Sequence, residues 1–123
     1  MMILRFKQFE SIVLLDNENT FKSYTSKFIN GPHLHIDIFD DSIKVGEIEF
    51  GIVNEDTIEL ISIHIDTKHR GHGYSDKSLN LLIDKTGAKS IILKSAPSSK
   101  RFWKKMGFTP IKGEKDYYKK EIR

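Results

Sequence analysis

A glycine-containing turn near the middle of the chain, Arg70-Gly71-His72-Gly73-Tyr74-Ser75, has the residue types that anion binding needs. It follows a predicted strand and leads into a predicted helix, whose first turn leaves about four backbone N–H groups unpaired at the positive end of the peptide dipoles. Glycine at two positions permits a tight turn and lets a ligand approach the backbone closely, and Arg70 adds a permanent positive charge. The turn therefore predicts a phosphate-binding site, although a plain strand-to-helix connection also uses glycines.

Several other kinds of functional site do not fit the sequence. The dinucleotide-binding fingerprint needs three spaced glycines and the Walker turn needs Gly-Lys-Ser/Thr, and the chain has neither. It contains no cysteine, which excludes a disulfide framework, a zinc–thiolate site and a cysteine nucleophile. His33 and His35 alternate on a predicted strand like a pair of metal ligands, but no third ligand lies near them in sequence, so we predict no metal cofactor.

The periodicity of apolar residues predicts the elements that precede the turn. Residues 3–15 are typical of one strand or a strand pair. A helical face that forms part of the core comprises Phe21, Tyr24, Phe28 and Ile29, and Asn30-Gly31-Pro32 ends that helix. Alternation then predicts three strands, at His33–Ile38, Lys44–Val53 and Thr57–Asp66. We expect these three strands to form an antiparallel meander.

A second set of elements follows the turn. A helix ends at Gly87, a buried strand spans Ser90–Leu93, and a short helix begins at Pro97. The first helix places Leu79, Leu82, Ile83 and Thr86 on one face; the second places Phe102, Trp103 and Met106 on one side and is capped by Gly107. A hairpin of Phe108–Ile111 and Tyr117–Ile122, turned at Gly113, closes the chain. The order of elements predicts an α+β fold, a mixed sheet with helices on its faces.

Length and composition limit the number of domains and the class of protein. The chain has 123 residues, of which 38% are hydrophobic and 30% charged, with a net charge of +3. This length suits one domain, residues 1–123, and the mixed charges are typical of a solvated surface. Residues 1–7 carry charges where a secretory signal needs an apolar run, and no stretch approaches about 18 apolar residues. We expect a soluble cytoplasmic protein without a membrane partner.

Two segments resemble the N-acetyltransferases of the GNAT superfamily. Residues 63–75, which include Arg70-Gly71-His72-Gly73-Tyr74-Ser75, resemble the family's Arg/Gln-x-x-Gly-x-Gly/Ala turn after a strand. The segment Phe102-Trp103-Lys104-Lys105-Met106-Gly107-Phe108 is similar to the aromatic-aromatic-x-Lys-x-Gly-Phe signature of the family's later helix. The two segments stand in the family's order and at about its spacing, and the resemblance extends from Leu34 to about Ile122.

The resemblance implies a mixed sheet that splays between its fourth and fifth strands, with acetyl-CoA in the gap. It places Arg70, Gly71, His72, Gly73, Tyr74 and Ser75 around the pyrophosphate. It also implies that the backbone of Ile63 and Ile65 pairs with pantetheine like an added strand, and that Ser99 and Trp103 flank the thioester. His69 and His72 have a plainer interpretation as solvated loop residues.

The resemblance also bears on proton transfer. Glu59 lies where histone-acetylating members have a catalytic glutamate, and His64 titrates in a useful pH range. The plainer alternatives are an exposed carboxylate in a salt bridge for Glu59 and a packed or surface histidine for His64. Trp103 stands where the family commonly has a tyrosine acting as general acid, and an indole N–H cannot supply that proton. Smaller departures are Ser75 for the usual Gly or Ala, and Ala96 for a common asparagine.

The resulting hypothesis is an enzyme that transfers acetyl from acetyl-CoA to a primary amine of a small molecule or protein. The alternative is a noncatalytic GNAT-like module that binds CoA or a partner. A nucleic-acid-binding domain is disfavoured, because its evidence is a pI near 9.0 and the basic tract 100–105, which also suits the exposed face of a helix. The sequence does not identify the acceptor. The last strand could pair across a homodimer, and Tyr117 or Tyr118 could face the acceptor, although packing on the sheet is the plainer reading.

Overall fold

The computed structural model describes residues 2–6, 28–29 and 33–122. The described part contains seven strands and two α-helices. The strands are β1 (Met2–Phe6), β2 (Leu34–Asp40), β3 (Ile43–Ile52), β4 (Thr57–Ile65), β5 (Ser90–Lys94), β6 (Thr109–Pro110) and β7 (Tyr117–Glu121). The helices are α1 (Tyr74–Thr86) and α2 (Lys100–Lys105), each preceded by a short 3-10 turn, at Thr67–His69 and Pro97–Ser99.

All seven described strands form one mixed sheet in the order β1-β2-β3-β4-β5-β7-β6. Neighbours are antiparallel except β4 and β5, which are parallel and joined through α1. The predicted meander of three strands is confirmed as β2-β3-β4. The last strand lies between β5 and β6 and is therefore not an edge of the sheet, which removes the reason the sequence offered for pairing it with a second copy.

The strands β4 and β5 diverge partway along their length. They pair only from Thr57↔Ser90 to Leu60↔Leu93, after which β5 continues alongside β7 while the rest of β4 follows β3 as far as Ile65. A register shift between β3 and β4 lies at the same level, opposite Ile61. A β-bulge bends its strand and increases its twist, which turns the outer half of β4 away from β5. The sheet therefore opens into a gap at the carboxyl ends of these two strands.

The core lies between the sheet and α1. Alternation in β2 buries Ile36 and Ile38 completely, and Leu79, Leu82 and Ile83 of α1 are almost entirely buried. Burying side chains of this size stabilises the fold by about 2 kcal/mol each. The helix ends where the sequence predicts, because Gly87 adopts a left-handed conformation and donates its N–H to the carbonyl of Ile83 at 2.9 Å. This packing fixes the first turn of α1 beside the gap.

Other predicted elements differ from the structure or lie outside the described residues. The first predicted strand is present as β1, and residues 7–15 are not described. Of the predicted helix around Phe21 and Tyr24, the structure describes only Phe28 and Ile29, which are not helical. The strand predicted at Phe108–Ile111 is shortened to Thr109–Pro110. At its start, the N–H of Phe108 donates to the carbonyl of Trp103 at 3.0 Å and not to β7. Neither described helix has the length and hydrophobicity needed to cross a lipid bilayer.

Candidate active site

A cavity of about 400 Å³ lies at the gap between β4 and β5. The outer half of β4 forms one wall, and the glycine turn and the start of α1 form the second. Phe102 of α2 and Met106, which directly follows this helix, contribute two apolar side chains. The lining residues are Ile63, His64, Ile65, His69, Arg70, Gly71, Gly73, Tyr74, Ser75, Asp76, Phe102 and Met106. The structure thus brings together most of the residues that the sequence assigned to cofactor binding.

The glycine turn presents open backbone to this cavity. Gly71 has φ of +85° and Gly73 has φ of +75°, backbone conformations that residues other than glycine rarely adopt. A Cβ at Gly71 would meet no atom within 4 Å, and one at Gly73 would meet only Lys77 Cε at 3.9 Å. The space in front of both residues is therefore available to a ligand.

The start of α1 lacks a side-chain cap. The residue before the helix is Gly73, and no side chain among those described accepts a hydrogen bond from the first turn. The first helical hydrogen bond runs from Lys77 N–H to the carbonyl of Gly73 at 3.1 Å, so the amides of Tyr74, Ser75 and Asp76 precede it. Such amides, together with the helix dipole, attract anions.

Arg70 lies at the mouth of the cavity. Its Nε–H donates to the backbone carbonyl of Ile65 at 2.9 Å. This bond ties the guanidinium to the end of β4, and the side chain of Arg70 is exposed. A permanent cation with free donors in this position suits a diphosphate.

The outer half of β4 has a free edge. Asp66 N–H donates to Val45 of β3, whereas the carbonyl of Ile65 accepts from Arg70. Because successive residues of a strand direct their polar backbone groups to opposite sides, Ile63 and Ile65 direct theirs toward the gap. No described strand pairs with them on that side. An extended ligand could therefore hydrogen-bond to β4 as a strand does.

Tyr74 joins the glycine turn to β2. Its hydroxyl donates to the carboxylate of Asp40, and this hydrogen bond lowers the pKa of Asp40 and raises the pKa of Tyr74. The rings of His69 and His72 lie 6.5 and 6.0 Å from the Tyr74 ring. His69 lines the cavity and His72 does not, so the structure does not bring His72 into the group that faces the gap.

The two candidate bases occupy different surroundings on β4. Glu59 is fully buried, in the part of β4 that still pairs with β5 and opposite Gly51 of β3. It is therefore not the exposed carboxylate of the plainer reading. His64 lies nearer the turn, lines the cavity, and is exposed, with Nε2 3.6 Å from Asp66 Oδ1. The pairing of β4 with β3 places both side chains on the same face of the sheet, but at different positions along β4.

The contribution of α2 differs from the sequence assignment. Trp103 packs between Phe102 and Phe108, with ring centroids 4.9 and 5.4 Å away, and neither it nor Ser99 lines the cavity. Phe102 and Met106 line it instead. These two residues are four apart in sequence, a spacing that places side chains on one side of a helix, so the sequence did contain a signal for this pair. Tyr117 and Tyr118 are buried, and Tyr117 makes an edge contact with Phe28.

A polar cluster on β2 and β3 bears on the metal prediction. Potential ligand atoms of His35, Asp37 and Glu47 lie within 4.8 Å of one another. Of the predicted pair His33 and His35, only His35 belongs to this cluster. Sequence reasoning missed Asp37, which lies two residues further along β2, and Glu47, which comes from the neighbouring strand. The ammonium of Lys44 stands 2.7 Å from Glu47 and 3.3 Å from Asp37, so one positive charge already offsets part of the negative charge of these two carboxylates. Beside the cluster, His33 Nδ1 lies 2.9 Å from Glu49. The prediction of no metal cofactor stays a prediction.

The chain matches the acetyltransferase (GNAT) family over residues 4–108. Curated proteins give no sequence match. An acetyltransferase from Thermus thermophilus is 15% identical, with a TM-score of 0.69 and coverage of 99% of this chain and 97% of that one.

Two further solved structures have the same fold. The PaiA N-acetyltransferase of Thermoplasma acidophilum, in complex with coenzyme A, is 15% identical with a TM-score of 0.62, covering 98% of this chain and 99% of that one. A variant of the spermidine N-acetyltransferase SpeG of Vibrio cholerae is also 15% identical, with a TM-score of 0.63 and coverage of 98% and 94%. The fold expected from the two sequence segments is confirmed.

Proposed function

Because the chain belongs to the acetyltransferase (GNAT) family, we propose that it is an N-acetyltransferase that moves an acetyl group from acetyl-CoA to a primary amine. The observation that carries the proposal is one cavity that joins the free edge of β4 to the uncapped first turn of α1. The first surface suits an extended amide chain and the second suits a diphosphate. Acetyl-CoA contains both groups in sequence.

The proposed binding mode follows from these surfaces. The pyrophosphate lies on the backbone of Gly71, Gly73 and the first residues of α1, beside the guanidinium of Arg70. Pantetheine amides then pair with Ile63 and Ile65, whose backbone groups face the gap. Phe102 and Met106 provide the apolar side of the cavity. The complex of the Thermoplasma neighbour with coenzyme A supports this assignment.

The proposed reaction is direct transfer. The neutral amine nitrogen attacks the thioester carbonyl carbon, a C–N bond forms, the C–S bond breaks, and CoA leaves as a thiolate. Backbone amides near the bulge at Ile61, where the register leaves this residue without a partner on β3, are suitable donors to the carbonyl oxygen. The leaving thiol has an ordinary pKa of about 8.5, so it departs without a dedicated acid. The reaction therefore does not require Trp103, which packs against Phe102 and Phe108, to act as a general acid.

A base must take the proton of the attacking amine, because an alkylammonium has a pKa of about 10.4 and is not nucleophilic. Glu59 lies at the closed end of the gap, where β4 and β5 still pair, and is shielded from water. His64 lies along the open half and is close to Asp66. We assign proton removal to this pair of candidates, with Glu59 as the one nearer to where the strands separate.

One observation favours a second function. Trp103 occupies the position at which the resemblance implies a tyrosine, and its ring packs between two other aromatic rings. A chain that binds CoA without transferring acetyl would retain the cavity and need no acid at this position. That the acceptor is an amine of a small molecule or a protein and that the protein is cytoplasmic stay predictions from the sequence. A homodimer also stays a prediction, although β7 offers no free edge for it.

Two measurements separate the functions. Isothermal titration should show saturable CoA binding, and acetyl-CoA with a panel of amines should release free thiol that a thiol reagent detects. If CoA binds and no amine releases thiol above background, the noncatalytic module is correct. Absence of CoA binding would refute the enzyme and the CoA-binding module, and would leave only the noncatalytic module that binds a partner. With an amine that the wild-type protein acetylates, turnover that survives both Glu59→Gln and His64→Ala would show that neither residue is the base.

A further inference from the structure

A second cleft borders the side of α2 that faces away from the cavity. Its volume is about 540 Å³. The lining residues are Pro97, Ser98, Lys100, Arg101 and Lys104. Because successive helical residues are rotated by about 100°, Phe102 and Met106 face the cavity while the basic side chains face the cleft. The two spaces are therefore separate surfaces of the same short helix.

The charges in this cleft are unevenly balanced. Lys100 Nζ lies 2.8 Å from Asp116 Oδ1, and this hydrogen bond raises the pKa of Lys100 and lowers the pKa of Asp116. Arg101 and Lys104 form no ion pair with any residue that the structure describes. Lys94 also lies close enough to Asp116 to act on its carboxyl. The cleft thus has one neutralised cation and two uncompensated ones.

The two uncompensated cations are suitably placed for a single compact anion. Arg101 and Lys104 are three residues apart on a helix, so their Cβ atoms lie about 5–6 Å apart on one side. Arg supplies a planar fork of N–H donors and Lys a point charge, and Ser98 at the cleft wall adds a hydroxyl donor. A phosphate monoester carries about −1.5 to −2 charges at pH 7, which matches two cations. We propose that this cleft binds a phosphate monoester.

Two molecules could supply that group. One is the 3′-phosphate of CoA, a source that rests on the proposed function. The other is a phosphate on the acceptor, because the cleft shares no lining residue with the cavity that we assign to the cosubstrate. Both sources present the same chemistry to Arg101 and Lys104. A site of this size does not extend along a nucleic-acid backbone.

Inorganic phosphate is the probe that tests the site itself. We expect an NMR titration to shift the amides of residues 98–104 saturably, and Lys104→Ala to weaken this binding about tenfold, since a hydrogen bond to a charged group is lost. Lys105→Ala is the matched control, because Lys105 is an exposed lysine of the same helix that does not line the cleft. Arg101→Lys should give an intermediate loss, as it keeps the charge without the fork.

Two results would overturn the proposal. One is the absence of saturable shifts at residues 98–104 up to tens of millimolar phosphate. The other is equal loss in Lys104→Ala and Lys105→Ala, which would indicate diffuse attraction to a basic surface. Both variants are surface substitutions, and a melting curve confirms that each is folded.

A comparison of CoA with dephospho-CoA identifies the source. If CoA binds about tenfold more tightly and Lys104→Ala abolishes the preference, the cleft holds the cosubstrate's 3′-phosphate. If both bind equally and inorganic phosphate still shifts residues 98–104 in saturating CoA, the cleft serves the acceptor. If neither CoA compound binds but phosphate still does, the proposed function fails and the phosphate site stands.

Discussion

The glycine turn allows a prediction that separates backbone strain from ligand binding. Gly73 and Gly87 lie at opposite ends of α1 with φ of +75° and +68°. A Cβ at Gly73 would meet only Lys77 Cε at 3.9 Å, and one at Gly87 would meet nothing within 4 Å. Replacement by alanine therefore costs only the left-handed conformation, about 1–2 kcal/mol at either position. For a domain of this length the melting temperature should fall by about 3–8 °C per kcal/mol in both variants.

Binding of CoA should distinguish the two variants. Gly73 lines the cavity, so we expect the added methyl group of Gly73→Ala to hold phosphate oxygens away from the amides at the start of α1. Loss of one charge-assisted hydrogen bond costs about 1.5–3 kcal/mol, so the Kd for CoA should rise about 10- to 100-fold. Gly87→Ala changes no residue at the cavity and should leave the Kd within about twofold. Isothermal titration of both variants, with thermal melts on the same samples, makes the comparison.

Equal CoA affinity in the two alanine variants would refute the reasoning, because it would show that the diphosphate does not contact this turn. A much larger loss of stability in Gly73→Ala than in Gly87→Ala would contradict the absence of steric contacts. In either case the cavity would need a different ligand assignment.

The remaining predictions concern stability. Ser78 is fully buried in α1 and its hydroxyl has no hydrogen-bond partner among the described residues, so Ser78→Ala should stabilise the fold by about 1 kcal/mol, measured by urea unfolding; lower stability would reveal an undetected partner. Tyr74→Phe should lower the melting temperature near neutral pH. Since the pKa of Asp40 is lowered from 3.8, that difference should shrink as the pH falls below this value; since the pKa of Tyr74 is raised from 10.0, it should also shrink as the pH rises above 10.0. A difference that stays constant across both ranges would contradict the hydrogen bond. Gly46→Ala should strongly lower the free energy of unfolding, because its Cβ would collide with the backbone carbonyl of His64. An unchanged free energy of unfolding, measured in urea, would show that β3 and β4 can separate at this point.

Sequence periodicity predicted most of the local elements because each depends on nearby residues. The alternation at Leu34, Ile36 and Ile38 determines which face of β2 packs on the core, and Gly87 ends α1 through its own backbone conformation. The residues at the glycine turn were found for the same reason: their chemistry and their spacing lie within a few positions of one another.

What sequence reasoning missed depends on neighbours from elsewhere in the chain. Burial of Glu59 follows from its position between β3 and β5, which no local pattern around a single carboxylate reveals. The choice of Phe102 over Trp103 as a cavity residue depends on the rotation of α2 about its axis, which is set by packing against Phe108. The cluster containing Glu47 requires the register between β2 and β3.

The free edge of β4 can keep its hydrogen-bonding groups while its sequence changes. The donors and acceptors that Ile63 and Ile65 turn toward the gap belong to the main chain, so exchanging either side chain leaves them in place. Only proline removes a donor there. A recognition surface built from peptide groups can accordingly persist while the identities of its residues change, as between chains that are only 15% identical and still share this fold.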